Sequence, residues 1–183
     1  MESRPLSIKT ELTPIVSKAH SMPHRQTLKE NGGLIVKKVL IAYDSGTGKT
    51  QQMAEYIAEG VRISGNEAEV RKITEINNEK ELRGYEGYIF GSPTYHLDMI
   101  GTMKTFLFMA QKADLAGKTG GAFGSYVHDG NAPKLIFDTI EFVFKMDMTD
   151  LGPFNLLEQK VYVTEGMRAC QAYGKAVGEK LNG

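Results

Sequence analysis

The sequence from residue 36 onward predicts an α/β fold: a three-layer sandwich in which five parallel strands form one sheet with helices on both of its faces. Apolar strand-like segments alternate with amphipathic helix-like segments through five rounds, which is the pattern of parallel strands joined by crossover helices. The first strand-like segment, KKVLIAY, is apolar and β-branched after its two lysines, as expected for a strand buried on both faces. We therefore predict one domain over residues 36–183.

The strands are predicted from their apolar runs. The first is continuous, whereas the second, EAEVRKI, alternates between polar and apolar residues and is expected to be less central. The third is short and apolar, the fourth is rich in glycine, and the fifth is poorly defined. In chain order, the predicted strands cover residues 37–43, 67–73, 87–92, 119–125 and part of 147–163.

The helices are predicted from stripes of apolar residues with helical spacing. The first begins at Thr50 and ends near Gly65, and the second, NNEKELRG, is short and ends at Gly84. The last closes the chain as an amphipathic helix. In chain order, the predicted helices cover residues 50–65, 77–84, 101–112, 131–146 and 164–181.

The composition is that of a globular protein and points to neither a nucleic acid nor a membrane as partner. The chain carries 22 basic and 22 acidic side chains, so its formal net charge is zero. No apolar run approaches the length of a membrane span. The single cysteine, Cys170, excludes an internal disulfide and a cysteine-cluster metal site, and it is expected to fill space on a helix. We expect a cytoplasmic protein.

Residues 1–35 form an extension that precedes the predicted domain and lacks periodicity. They contain three prolines, no apolar core for a signal peptide, and three glutamates that argue against a mitochondrial presequence. We expect this extension to be disordered, or not to belong to the native protein. The second alternative follows because GGLIV can be encoded by a ribosome-binding sequence, a spacer and a GTG start codon at Val36.

Three loops with unusual chemistry follow predicted strands. In an open parallel sheet, ligands bind beyond the carboxyl ends of the strands, where the strand order reverses. With the strand order 2-1-3-4-5, the first and third strands are neighbours at that point, so the three loops are expected to converge on one crevice. Their sequences are DSGTGKT at 44–50, SPTYHLD at 92–98 and SYVHDGN at 125–131.

The first of these loops is predicted to bind a terminal phosphate. Its two glycines allow backbone N–H groups to point inward, and the following helix offers the positive end of its dipole. Three hydroxyl side chains add donors, and one lysine flanks the site. The predicted phosphate-binding residues are Ser45, Gly46, Thr47, Gly48, Lys49 and Thr50.

The same loop differs by one residue from the P-loop of nucleoside triphosphatases, G-x-x-x-x-G-K-[ST], because Tyr43 occupies the position of the first glycine. A P-loop enzyme also needs an acidic residue at the end of a buried strand to hold Mg²⁺. The third and fourth strands are followed by Ser92 and Ser125 instead. We therefore disfavour hydrolysis of ATP or GTP.

The other two loops carry side chains suited to a flat heterocycle. Tyr95, Tyr126 and His128 offer aromatic or imidazole faces, and stacking on such a face contributes about 1–3 kcal/mol. His96 and His128 lack a third ligand at a suitable spacing, so no metal site is predicted. The acidic residues around the crevice are interpreted as turn or cap residues, namely Asp44, Asp98 and Asp129. The residues predicted to surround the heterocycle are Ser92, Pro93, Thr94, Tyr95, His96, Ser125, Tyr126, Val127, His128 and Gly130.

From about residue 37 to residue 181 the chain resembles the flavodoxin family. SGTGKT at 45–50 is similar to the family's phosphate loop, T/S-x-T-G-x-T, and GSPTY and GAFGSY are similar to the flavin-ring loops of flavodoxin-like domains in flavo-diiron proteins. The resemblance implies a flavodoxin-like fold and a non-covalently bound FMN, with its phosphate on the first loop and its ring between the other two. It also implies that no side chain of the protein need be catalytic.

The resemblance implies an electron-transfer protein that works between redox partners, a donor and an acceptor, and has no substrate of its own. The alternative is an enzyme, an NAD(P)H:quinone oxidoreductase of the flavodoxin-like superfamily, which accepts hydride in two-electron steps. Those enzymes usually have longer loops after the second and fourth strands, and none is evident here. Three departures from the family pattern are the nearly neutral charge, Val127-His128 in place of a Gly-Trp or similar pair, and the 35-residue extension. We favour the carrier.

Overall fold

One parallel sheet forms the middle layer of the fold. The computed structural model describes residues 35–183, so the predictions about the N-terminal extension lie outside the described residues. The strands are β1 (Lys38–Tyr43), β2 (Glu67–Lys72), β3 (Gly87–Gly91), β4 (Thr94–Tyr95), β5 (Asp98–Met99), β6 (Thr119–Tyr126), β7 (Asp147–Met148) and β8 (Phe154–Leu157). The α-helices are α1 (Lys49–Ile63), α2 (Gly101–Ala110), α3 (Asn131–Phe142) and α4 (Thr164–Asn182).

The sheet runs in the order β2-β1-β3-β6, and β7 and β8 both pair with the outer side of β6. Every pair in it is parallel. The two short strands β7 and β8 together take the fifth position, one beside the start of β6 and the other beside its end. The predicted order 2-1-3-4-5 is confirmed, with the fifth strand divided into two pieces.

Side chains of the central strands alternate between two apolar cores, one on each face of the sheet, because successive residues of a strand point to opposite faces. In β1, Val39 and Ile41 share a core with residues of α1 and α4. Leu40, which lies between them, shares the other core with residues of α2 and α3. Both faces of the sheet are therefore covered. No helix within residues 35–183 combines the length and the apolar character needed to cross a membrane.

Two predicted helices differ from the observed ones. The helix predicted over 77–84 is a 3₁₀ turn, Glu79–Leu82, whose start is capped by the Asn78 side chain. The helix predicted to reach residue 146 ends at Phe142. The chain turns at Lys145, which adopts a φ of 59°, and the turn carries Phe144 and Met146 into the core. Because these two side chains are buried like those on the inner face of α3, the apolar pattern of the helix continues in the sequence beyond its actual end at Phe142.

Helices α1 and α4 approach each other closely at two glycines. A Cβ added to Gly60 would lie 2.0 Å from the carbonyl oxygen of Gln171, and one added to Gly174 would lie 1.9 Å from that of Ile57. Real Cβ atoms do not come this near to backbone oxygens. The two helices therefore pack backbone against backbone, and only glycine fits at these positions.

The hydroxyl group of Tyr173, on α4, fills the gap between the two pieces of the fifth strand. β6 pairs with β7 as far as Gly120 and with β8 from Phe123 onward, so Ala122 faces the gap between them. The amide of Ala122 donates to the Tyr173 hydroxyl at 3.0 Å, and this hydroxyl lies 3.1 Å from two carbonyl oxygens, those of Ala122 and Gly152. Burial raises the pKa of Tyr173, so the hydroxyl keeps the proton that it donates.

We expect Tyr173→Phe to lower the free energy of unfolding by about 2 kcal/mol, because a buried donor or acceptor left without a partner costs about 1–3 kcal/mol. For a domain of this size the melting temperature would fall by about 4–8 °C. Hydrogen exchange at the Ala122 amide should accelerate as well. Tyr56→Phe is the matched control, because no hydrogen bond of the Tyr56 hydroxyl is found within residues 35–183. Equal melting temperatures for the two variants would contradict the bridging role.

Cys170 lies on the inner face of α4 and is fully buried, as the sequence predicted. Burial raises the pKa of its thiol to about 12. In the unfolded chain the thiol ionises near a pH of about 8.5, so the unfolded state loses this proton first as the pH rises. We expect the free energy of unfolding to fall as the pH rises from about 9 toward 12, and to fall less in Cys170→Ala.

The same burial makes a second measurement possible. A disulfide reagent such as DTNB should leave the native protein unmodified at a pH of about 8 and modify one thiol after unfolding in urea, because the thiolate is the reactive form. The chain has one cysteine, so the signal belongs to Cys170 alone. Rapid reaction of the native protein would show that this part of α4 opens.

Candidate functional site

The three loops lie side by side at the carboxyl edge of the sheet. We call them loop A (44–50), loop B (92–98) and loop C (125–131). Backbone hydrogen bonds hold their first residues together: the amide of Asp44 donates to the Gly91 carbonyl at 3.0 Å, and the amide of Ser92 donates to the Phe123 carbonyl at 3.1 Å. The three loops therefore converge at one edge of the sheet, as the strand order predicted.

Two side-chain contacts join loop C and the helix behind it to the other loops. Thr50 Oγ1 and Ser125 Oγ lie 3.0 Å apart in a buried position, which links loop A to loop C. Thr94 Oγ1, in loop B, accepts from the Ala132 amide at 3.1 Å in the first turn of α3. Thr50, Thr94 and Ser125 thus connect neighbouring elements.

Loop A presents free backbone donors at the beginning of α1. Gly48 has a φ of 84°, and its amide donates to Ser45 Oγ at 3.0 Å within the loop. The helix that follows is 15 residues long and has no side-chain cap. Within residues 35–183, no acceptor is found for four amide groups of this turn, namely those of Gly46, Thr47, Lys49 and Thr50. A set of N–H donors at the positive end of a helix suits an oxyanion such as a phosphate group.

Lys49 lies against an aromatic residue that the sequence did not indicate. Its Nζ atom is 4.0 Å from the ring centroid of Tyr162, a distance at which a cation is attracted to the ring. Tyr162 follows β8 and is exposed. A cavity of about 340 Å³ lies beside Lys49 and is also lined by Tyr126, Val127 and residues 157–159. The cationic side chain therefore flanks loop A on the β8 side.

Loop B forms a hairpin that the sequence did not predict. β4 and β5 pair in antiparallel fashion, and the turn between them places His96 and Leu97 at positive φ values of 48° and 65°. The hydroxyl of Tyr95 lies 3.3 Å from the point where a Cβ on Gly46 would be, so Tyr95 extends over loop A. Ser92 is buried, and its Oγ donates to the Pro93 carbonyl at 2.9 Å.

Loop C combines a buried start with an exposed tip. Ser125 is buried, Tyr126 is half-buried, and Val127 and His128 are exposed. A Cβ on Gly130 would lie 2.7 Å from Asn155 Oδ1, so β8 supports the end of this loop closely. Among the residues predicted to surround a heterocycle, Tyr95, His96, Val127 and His128 are exposed, and Thr94, Tyr126 and Gly130 are half-buried. Ser92, Pro93 and Ser125 are buried and hold the loops in place.

Two of the acidic residues act as turn residues, as the sequence suggested. Asp98 Oδ1 accepts from the following amide, Met99, at 2.7 Å, and the ammonium group of Lys104 lowers the pKa of this carboxyl group. Asp44 Oδ1 accepts from the Ser45 amide at 2.7 Å. Its other oxygen accepts from Thr102 Oγ1, on α2, at 2.5 Å, a contact that the sequence did not indicate. Within residues 35–183, no three acidic, histidine or cysteine side chains form a metal-binding group.

The chain is similar in sequence to several known proteins. Residues 40–136 match the family model described as a flavodoxin domain. Over 89 residues the chain is 40% identical to a flavodoxin from Clostridium saccharobutylicum, and the match covers 48% of this chain and 55% of that one. Over 151 residues it is 32% identical to an NAD(P)H dehydrogenase (quinone) from Acidithiobacillus ferrooxidans, covering 67% of this chain and 74% of that one. The match to the Clostridium flavodoxin therefore spans little more than half of that protein.

Solved structures show the same fold. A flavodoxin from the domain Archaea superposes with a TM-score of 0.74 at 27% identity, covering 80% of this chain and 99% of that chain. Flavodiiron proteins also superpose, at identities that show the fold alone. The flavodoxin-like fold is thus confirmed.

Proposed function

The chain belongs to the flavodoxin domain family, and on this premise we propose that it binds FMN without a covalent bond and carries electrons between redox proteins. The single observation that carries the proposal is the set of free N–H groups in loop A, at the uncapped start of α1. FMN ends in a phosphate monoester, which needs such donors. An unoccupied strand-to-helix turn would gain stability from a side-chain cap, and α1 has none.

We propose that loop A holds the phosphate through converging hydrogen bonds. The dipole of α1 contributes only about 0.3–1 kcal/mol, so most of the affinity must come from the amide and hydroxyl donors. Thr50 can serve the phosphate without leaving Ser125, because a hydroxyl group accepts one hydrogen bond while it donates another. The proposed phosphate ligands are Ser45, Gly46, Thr47, Gly48, Lys49 and Thr50.

We propose that loops B and C hold the flavin ring between them. Tyr95 extends from loop B over loop A, and Val127 and His128 are exposed at the tip of loop C. These side chains offer an aromatic face from loop B and an apolar or imidazole face from loop C. When bound, FMN supplies the redox chemistry, so the protein's own residues need only bind it, orient it and set its electrostatic surroundings.

The carrier is the leading function, and a specific observation supports a second one. Only residues 127–130 connect β6 to α3, so the long loop usual in quinone reductases is absent there. However, the alignment with NAD(P)H dehydrogenase (quinone) relatives covers 74% of those proteins. An FMN-dependent oxidoreductase that reduces quinones with NAD(P)H is therefore the alternative.

The experiment that tests the proposal is stepwise anaerobic reduction of the protein loaded with FMN, followed by its visible spectrum. Reduction in two separate one-electron steps would support the carrier. Reduction in one two-electron step, together with NAD(P)H-dependent reduction of a quinone, would support the enzyme. A protein that takes up no added FMN would overturn both.

A further inference from the structure

Going beyond the proposed function, on which this inference rests, we infer that Asp44 is a positioning residue for the cofactor phosphate. Its carboxylate fixes the conformation of loop A and joins that loop to the first turn of α2 through Thr102. It does so without contacting the phosphate itself. The position of the phosphate-binding amides thus depends on a helix outside the three loops.

Both oxygens of the Asp44 carboxylate are committed. The residue is 7% exposed, with Oδ1 2.7 Å from the Ser45 amide and Oδ2 2.5 Å from Thr102 Oγ1. The Asp44 amide donates to the Gly91 carbonyl, so its backbone is fixed as well. A carboxylate held from two directions by charge-assisted hydrogen bonds has little freedom to rotate.

These contacts set the direction of the amide groups in loop A. The Ser45 amide donates back to the Asp44 carboxylate, which fixes the orientation of Ser45. The hydroxyl group of Ser45 is thereby placed to accept from the Gly48 amide at 3.0 Å. The Asp44 and Ser45 side chains therefore use two of the loop's N–H groups inside the protein. The amides without an internal partner are those of Gly46, Thr47, Lys49 and Thr50, and they remain for a ligand.

The charge of Asp44 provides a way to separate two effects of its carboxylate on FMN binding, its hydrogen bonds within loop A and its electrostatic effect on the phosphate. A negative carboxylate repels a phosphate, so it cannot raise affinity for FMN by its charge. If charge were its main effect, Asp44→Asn would tighten FMN binding. If hydrogen bonding is its effect, Asn should substitute well, since its Oδ1 can accept from Ser45 and its amide can donate to the Thr102 hydroxyl, which also accepts.

Asp44→Ala is expected to weaken FMN binding about tenfold, the loss expected from a charge-assisted hydrogen bond. Riboflavin, which lacks the phosphate, should bind with its affinity changed less than about twofold. We expect Asp44→Asn to retain FMN affinity within about threefold, and Thr102→Val to weaken it less than Asp44→Ala does. Fluorescence titration with each flavin measures all of these values. Asp138→Ala removes an exposed carboxylate on α3 and is the control.

Amide hydrogen exchange of the apoprotein gives an independent readout. In Asp44→Ala the Ser45 and Gly48 amides should exchange faster, whether or not the protein binds FMN. If the unmodified protein fails to bind FMN, the proposed function fails, whereas unchanged exchange rates in loop A overturn the positioning role. Equal loss of FMN and riboflavin affinity would also overturn it. If Asp44→Ala does not fold, Thr102→Val provides the same pair of readouts.

Discussion

Replacement of Gly174 by alanine is expected to lower the free energy of unfolding by about 3 kcal/mol, as large as overpacking effects usually are. The added Cβ would lie 1.9 Å from the Ile57 carbonyl oxygen. This atom belongs to the backbone of α1, so no side-chain rotation relieves the contact, and the two helices must move apart. Movement of α4 away from α1 would open the core that contains Val177 and Ile57.

Thermal and urea unfolding measure this effect. For a domain of this size, a loss of about 3 kcal/mol lowers the melting temperature by about 6–12 °C. Gly101→Ala is the matched control, because a Cβ on Gly101 meets no atom within 4 Å and the position lies in the first turn of α2. A melting temperature of Gly174→Ala within about 1 °C of the control would show that the helices are not held at this distance.

Replacement of Thr47 by aspartate is expected to weaken FMN binding at least about a hundredfold. Thr47 is exposed at the turn of loop A, and its amide is one of the free donors. A carboxylate there would meet the doubly charged phosphate, and like charges in contact cost several kcal/mol. A hundredfold loss corresponds to about 2.7 kcal/mol.

The matched control is Thr47→Asn, which has nearly the same shape as aspartate but no charge. Titration of the apoprotein with FMN, followed by flavin fluorescence, should show a loss for aspartate that diminishes as salt is added. Riboflavin should bind both variants alike. Equal FMN affinity of the two variants would mean that the phosphate does not lie on loop A.

The central strands could be predicted from the sequence because burial on both faces gives them continuous apolar runs, as in β1 and β3. The fifth strand could not be located, since its pieces contain two and four residues and give no such run. At Ala122, the hydrogen bonds that a continuous fifth strand would supply to β6 come from the hydroxyl group of Tyr173. These two residues are 51 positions apart in the sequence. Local patterns do not contain contacts of that kind.

The convergence of the three loops could also be predicted, because it follows from strand order alone. Thr102 and Tyr162 were missed because each meets loop A only through tertiary packing. One signal was available for Thr102: an acidic residue ending the first strand is well placed for a neighbouring helix N-terminus. No comparable signal marks Tyr162, whose position depends on the path of the chain after β8.

The bridge formed by the Tyr173 hydroxyl affects where insertions can be tolerated during evolution, because it lies beside the segment between β7 and β8. Between β7 and β8 the chain leaves the sheet, and Leu151 within this excursion is 60% exposed. The hydroxyl of α4 satisfies the edge of β6 at Ala122 and contacts the excursion only at the backbone carbonyl of Gly152, so this bridge does not depend on the side chains of residues 149–153. New residues can be added there at little entropic cost. This excursion is therefore a place where the fold can acquire an additional segment, such as a surface for a new partner, while loops A, B and C stay unchanged.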